Sequence, residues 1–356
     1  MRDSHTTARF TVARRSLVAA LCAALSLAAC AKAEPGGGPG NGDGAAGGYE
    51  VLELRYQGFV GAVSVLELAE DLGYLAPIKL NYVGNTISGP QDIQTVVTGD
   101  TDVGHAFNGA VIKLIAAGAP LRAVVGSYGV DAKRWSGFYV TEDSPIRSAR
   151  DLIGKKVAMN TLGAHHELML KEYLSRQGLT SAEIAQVTLV VLPPVSTEQA
   201  LRQKQVDVAV LGDVLRDKAL ERGGIRALFS DFELFGEFTA GSYVLTTRFL
   251  RENPNSTRKL VEAAARAIEW ARAAPRDEAV ARLRSIIERR QRNEDASVVK
   301  YWTSMGVAGK GGLLSAKEYK IWIDWLVKDG EIKEGQIKPE DLYTNQLNPF
   351  AATPAQ

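Results

Sequence analysis

Beyond residue 30 the chain has no cysteine: Cys22 and Cys30 are the only two in 356 residues, and both fall in the first thirty. The part that folds therefore has no disulfide, no thiolate metal site and no cysteine nucleophile. Histidine is scarce as well, limited to His5, His105, His165 and His166. His5 lies in a leading segment expected to be cut away. His165 and His166 are neighbours on a helical stretch, so they point in different directions and do not form the i, i+4 pair that binds zinc. A solvated or internally satisfied helix face is expected for them, while His105, in a strand, has core and cleft as alternatives. No metal site, no cofactor and no catalytic set is expected. There is no serine nucleophile elbow, no phosphate loop and no Gly-x-Gly-x-x-Gly after a strand. A surplus of charge is also missing: 42 Lys+Arg stand against 41 Asp+Glu. The first 29 residues hold four Arg and one Asp, so the remainder carries 38 against 40, near −2. A nucleic-acid binder would show a basic excess.

What is present begins with an address. Arg14-Arg15 precedes the apolar run from Ser16 to Leu27, then Ala28-Ala29-Cys30. A basic region, about a dozen apolar residues and a small-residue exit make a secretory signal, too short to span a bilayer. The exit Leu27-Ala-Ala-Cys30 resembles a bacterial lipobox, which implies cleavage before Cys30 and a lipid on its thiol. The Arg-Arg pair leaves the export route, general or twin-arginine, open. Residues 31–48 are dominated by glycine and cannot bury a core, so a flexible tether is expected. Segment 1–29 is thus read as signal, and 30–49 as lipidated Cys and tether.

From residue 51 on, strand-like and helix-like stretches alternate, which predicts a parallel α/β sheet covered on both faces. Strands are expected at 51–56, 78–82, 102–107 and 121–128, then at 137–141, 156–159, 187–192, 207–211 and 244–247. Helices are expected at 62–72, 90–98, 109–117, 164–177 and 197–204. Past Pro254 the apolar stripe Leu260, Ala263, Ala264, Ala267, Ile268 and Ala271 has helical spacing. The basic run from Arg282 to Arg292 reads as a solvated helix face, with partner docking as the alternative. Two α/β lobes, with the chain crossing twice between them, are the simplest packing of this order.

Ligands in open α/β sheets bind beyond the carboxyl ends of the strands. Here those ends open into 57–61, 84–91, 107–109, 128–135, 160–163, 193–196 and 212–213. Several run straight into a helix start, where free N–H groups favour anions. Phe59, Phe107, Tyr128, Trp135, Phe238 and Tyr243 accompany the same loops. Asp213 begins a helix at the cleft rim, as an N-cap or as a reader of a cationic group.

Gly84-Asn-Thr-Ile-Ser-Gly-Pro-Gln-Asp-Ile-Gln-Thr-Val-Val-Thr-Gly-Asp-Thr-Asp-Val-Gly104, with Ala116-Ala-Gly-Ala-Pro120, resembles the nitrate/sulfonate/taurine class of ABC-transporter substrate-binding proteins. Binders of thiamine-pyrimidine precursors belong to the same superfamily. Ser148-Ala-Arg-Asp-Leu-Ile-Gly-Lys-Lys-Val-Ala158 is similar to the start of that class's second lobe, and Asp341-Leu-Tyr-Thr-Asn-Gln-Leu-Asn-Pro-Phe350 to its end. The resemblance implies a two-lobe periplasmic-binding-protein type II fold with a two-stranded hinge near 137–139 and 241–245. Lobe 1 would be 50–137 plus 241–356, and lobe 2 would be 138–240. It implies ligand contacts at Phe59, Val60, Asn85, Thr86, Phe107, Asn108, Thr161, Gly163 and Asp213. It also implies a small-molecule ligand, such as a sulfonate or taurine-like solute. The partners would be an ABC permease with its cytoplasmic ATPase, at the outer side of a bacterial membrane reached only through the lipid. An enzyme on the same fold acting on a pyrimidine-type molecule is the alternative, as is a ligand-sensing surface protein. Such enzymes use a cysteine-rich segment that this chain lacks.

Overall fold

The computed structural model describes residues 48–351. The expected signal, Cys30 and nearly all of the tether lie outside the described residues. Among the described residues no helix is long and apolar enough to cross a membrane.

The strands are β1 (Glu53–Gly58), β2 (Lys79–Asn85), β3 (Gly104–Phe107), β4 (Leu121–Val130), β5 (Ser136–Thr141), β6 (Lys156–Met159), β7 (Thr188–Val191), β8 (Val208–Gly212), β9 (Ile225–Ser230) and β10 (Phe238–Thr246). β1 pairs with β2, β10 sits between β3 and β4, and the five remaining strands form one sheet in the order β7-β6-β8-β5-β9. The sheets are not all parallel: β1 and β2 run parallel, as do β6, β7 and β8, but other pairs do not. β10 runs antiparallel to β3 and β4, and β5 antiparallel to β8 and β9. The reason is connectivity. β5 enters the five-stranded sheet straight from β4 of the other sheet, after only residues 131–135 and with no helix between them. β10 likewise arrives from β9 after one short helix, Asp231–Phe235. The switches between the two groups of strands thus fall at 131–135 and 236–237, a few residues before the stretches expected as the hinge.

Helix Val65–Asp71 opens on a capping box in which Ser64 and Glu67 satisfy each other's backbone N–H groups. Helix Gly89–Thr98 is capped by Ser88, carries Pro90 in its first turn and stops at Gly99 in the left-handed region. Helix Pro254–Ala273 buries the stripe from Leu260 to Ala271, against Leu54, Leu66, Leu68 and Val125. The basic run is a solvated face only in part: Arg284, Glu288 and Arg289 are exposed. Arg282 and Arg289 reach Asp71, while Arg290 and Arg292 turn inward to Glu67. Helix Arg276–Arg290 ends there, and Gln291 at φ 49 swings the chain so that both arginines face the core. A close backbone approach pins β4 from outside: a Cβ on Gly129 would lie 2.1 Å from the Gly306 carbonyl oxygen. Phe107, Phe235, Phe238 and Trp322 form an aromatic cluster between the two groups of strands.

Candidate functional site

The carboxyl ends of β1, β3, β6 and β8 and the links at 131–135 converge on one cleft of about 890 Å³. Its walls carry Phe59, His105, Phe107, Tyr128, Trp135, His165, His166, Tyr243 and Trp302. Such an apolar wall with few polar groups suits a small organic molecule. Phe238, expected here, packs instead under the floor against Trp322, centroids 5.4 Å apart.

Of the contacts implied by the resemblance, Phe59, Val60, Thr86, Phe107, Thr161 and Asp213 line the cleft. The other three do not. Asn108 is fully buried: its Nδ2 donates to the Thr239 carbonyl at 3.0 Å and its Oδ1 accepts from Ser242 Oγ at 2.6 Å. It joins β3 and β10, so its polar atoms are occupied below the floor. Asn85 is exposed at the end of β2. The Gly163 N–H donates to Glu167 Oε2 at 2.7 Å, outside the cleft. Thr86 lines the wall, but its hydroxyl is engaged by the backbone of Ser88 at 3.1 Å.

Asp213 is neither an N-cap nor a free carboxylate. Gly212 takes the cap position, and Asp213 begins the helix in the left-handed region at φ 55. Its Oδ2 lies 2.6 Å from Arg134 Nη2, and Arg134 Nη1 donates to the Gly129 carbonyl at 2.7 Å. The other lining cations also have carboxylate neighbours, two of them sharing one. Arg202 and Arg222 meet Glu198 at 2.8 and 3.2 Å, and Lys218 meets Asp295 at 3.3 Å. Two of the helix starts, at Gly89 and Pro194, are poor anion sites, because Pro90, Pro193 and Pro194 have no N–H to give.

Histidine was the signal missed. His165 and His166 occupy the first turn of helix His165–Arg176, where no preceding turn covers them, so neighbouring rings can both face the opening. The His165 ring stacks on Phe107 at 5.0 Å, and its Nε2 lies 3.2 Å from Asp231 Oδ2. His105 meets Phe59 edge-on at 4.9 Å. Desolvation pulls His105 down to about 4 and His166 down to about 3, the latter helped by His165. Both rings are therefore neutral at pH 7. Asp92, completely buried, receives the backbone N–H of His105 at 2.8 Å, and burial pushes its carboxyl up to about 7. Among the described residues no His/Cys/Asp/Glu group has the geometry of a metal site.

The profile of the NMT1/THI5-like family matches residues 66–278, more than half of the chain. Over 163 residues the chain is 31% identical to the "Putative aliphatic sulfonates-binding protein" of Escherichia coli (strain K12). That match covers 45% of this chain and 48% of the other, so the chain spans about half the length of the curated relative it matches. The alkanesulfonate-binding protein of Xanthomonas axonopodis pv. citri, bound to MOPS, superposes with a TM-score of 0.65 at 22% identity, over 83% of this chain and 99% of that one. A desulfurization enzyme, DszB, superposes with a TM-score of 0.55 at 16% identity, over 83% and 97% of the two chains. At such identities the superpositions establish architecture alone: the two-lobe periplasmic-binding-protein type II fold, which binders and an enzyme share.

Proposed function

The chain belongs to the NMT1/THI5-like family, and on that premise we propose that it is a solute-binding protein of an ABC importer. It would hold one small organic molecule between its lobes and hand it to a permease driven by a cytoplasmic ATPase. The observation that carries this reading is the aromatic cleft of about 890 Å³ at the carboxyl ends of strands drawn from separate sheets. Phe59, Val60, Thr86, Phe107 and Thr161 would touch the solute, and Asp213 would act through Arg134. The lobes would be the 50–137 plus 241–356 and 138–240 segments, with the crossings as hinge. Taurine-like and other sulfonate solutes are the first class to test, since relatives of this architecture are named for them.

A thermal-shift panel of alkanesulfonates, amino-sulfonates, carboxylates, nitrate and pyrimidines tests this. A ligand that binds only the folded chain adds about 2.7 kcal/mol at a hundredfold excess over Kd. One chemical class is expected to raise the melting temperature and to be recovered unchanged after incubation. A flat panel, or conversion of the bound compound, would refute the proposal.

The same proposal places the protein on the outer face of a bacterial membrane, held by lipid on Cys30. The full-length protein should enter the detergent phase of a phase-separation extraction, and Cys30→Ser should not. Aqueous partitioning of the unmodified chain would remove the anchor.

A further inference from the structure

A hydrogen-bonded row runs through one wall of the cleft. Asn160 Nδ2 donates to the Ile87 carbonyl at 2.8 Å. Asn160 Oδ1 lies 3.0 Å from His166 Nδ1, and His166 Nε2 lies 3.3 Å from Ser136 Oγ. Only one arrangement of hydrogens satisfies the row. The Ile87 carbonyl only accepts, so the amide nitrogen of Asn160 must face it and the amide oxygen must face His166. That oxygen also only accepts, so His166 Nδ1 bears the ring hydrogen. The ring is neutral, so Nε2 offers a lone pair and takes the Ser136 hydroxyl hydrogen. Ser136 has thus placed its single hydrogen inside the protein and faces the cleft with lone pairs alone. Space is kept for it by the residue paired with it across β8: a Cβ on Gly212 would stand 2.5 Å from Ser136 Oγ.

We propose that Ser136 Oγ is an acceptor subsite, oriented by His166 and Asn160, for an N–H or O–H group of the bound solute. Each lining cation has a carboxylate neighbour, although Arg202 and Arg222 share Glu198, so the donor-seeking Ser136 favours a molecule that carries an N–H or O–H group over a bare anion of the same shape. The order Ser-His-Asn also occurs in hydrolases. Here the imidazole is held far too acidic, at about 3, to act as a general base at neutral pH, so the row orients Ser136 without activating it. The proposal rests on the reading that the cleft holds a solute.

Two measurements separate the two ideas. The ring-nitrogen spectrum of the ¹⁵N-histidine-labelled protein, with His166 assigned by its loss in His166→Gln, should show the Nδ1–H form. An Nε2–H form overturns the subsite whatever binds. Calorimetric titration with taurine, which carries an ammonium donor, and with ethanesulfonate, which does not, should give at least a tenfold preference for taurine. In Ser136→Ala that preference should shrink to about twofold. Equal affinities, or a preference that survives Ser136→Ala, overturn the subsite. Covalent capture of Ser136 by a fluorophosphonate does so too, since it makes the serine a nucleophile. Binding of neither probe together with the Nδ1–H form keeps the acceptor assignment and counts against sulfonates as the solute class.

Discussion

Replacing Glu67 by alanine is expected to cost about 3–5 kcal/mol of folding stability, the range for removing one partner from a buried ion pair. The side chain is buried, and both of its oxygens are engaged. Oε1 accepts the Tyr56 hydroxyl at 2.8 Å and Arg292 Nη1 at 2.9 Å, Oε2 accepts the Ser64 N–H at 2.9 Å, and Arg290 Nη1 lies 3.1 Å from each. Truncation removes the capping box of helix Val65–Asp71 and leaves two nearly buried guanidiniums short of charge. Arg290 keeps Glu294, while Arg292 keeps the Tyr56 hydroxyl and the face of Tyr82 at 3.5 Å. Those partners set the lower end of the range. Glu67→Gln should lose less, because it keeps an acceptor. The exposed pair Lys204–Asp143 is the control: Asp143→Ala should leave the denaturation curve unmoved, since exposed pairs contribute little. A Glu67→Ala melting curve close to that of the parent would mean that the arginines, rather than the carboxylate, hold this corner.

Asp213→Asn is expected to strengthen the binding of ethanesulfonate by roughly tenfold, about 1.4 kcal/mol. From sequence alone Asp213 reads as an N-cap or as a reader of a cationic group. In the structure its charge is matched by Arg134 at 2.6 Å. Removing it leaves a guanidinium on the wall, still tied to the Gly129 carbonyl, with no ion-pair partner and only the weaker influence of Asp131. Asparagine tolerates the left-handed backbone that residue 213 adopts, so the helix start should survive. Calorimetry against ethanesulfonate is the direct measurement. Weaker binding of taurine with unchanged ethanesulfonate affinity would instead mean that Asp213 reads an ammonium group itself.

The alternation of strands and helices was legible from residue 51 to residue 211 because short apolar runs there are bounded by glycine and proline. β6 falls on the expected residues 156–159, and the first half of the chain follows its pattern closely. Strand direction was not legible. Whether β5 runs with or against β8 depends on which sheet the chain has just left, and no local residue encodes that. β9 was missed because Ile225–Ser230 alternates weakly and follows a glycine pair. In the site, position carried over better than chemistry. Phe59, Val60, Thr86, Phe107, Thr161 and Asp213 reach the cleft, but a one-residue step from Phe107 to Asn108 turns the side chain from cleft to core. The helix wheel misjudged His165 and His166, since it assumes neighbours on every side and the first turn has none. Arg134 is distant in sequence from Asp213, so their pairing was invisible.

Two hydrogen bonds join the 84–91 loop to the 160–163 loop beside the cleft, from Asn160 Nδ2 to the Ile87 carbonyl at 2.8 Å and between Ser88 Oγ and Thr161 Oγ1 at 3.0 Å. They join protein to protein, so their strength is the same for every cargo. A device of this kind sets how long the shut form lasts, and apparent affinity scales with the shut fraction. Ser88→Ala removes the second bond through a residue that does not line the cleft, at the cost of a long 3.4 Å cap on helix Gly89–Thr98. It should speed the escape of unrelated cargoes by one common factor and leave their rank order intact, as stopped-flow dissociation would show. Residence time and selectivity would then be separate properties of one cleft, adjustable one at a time.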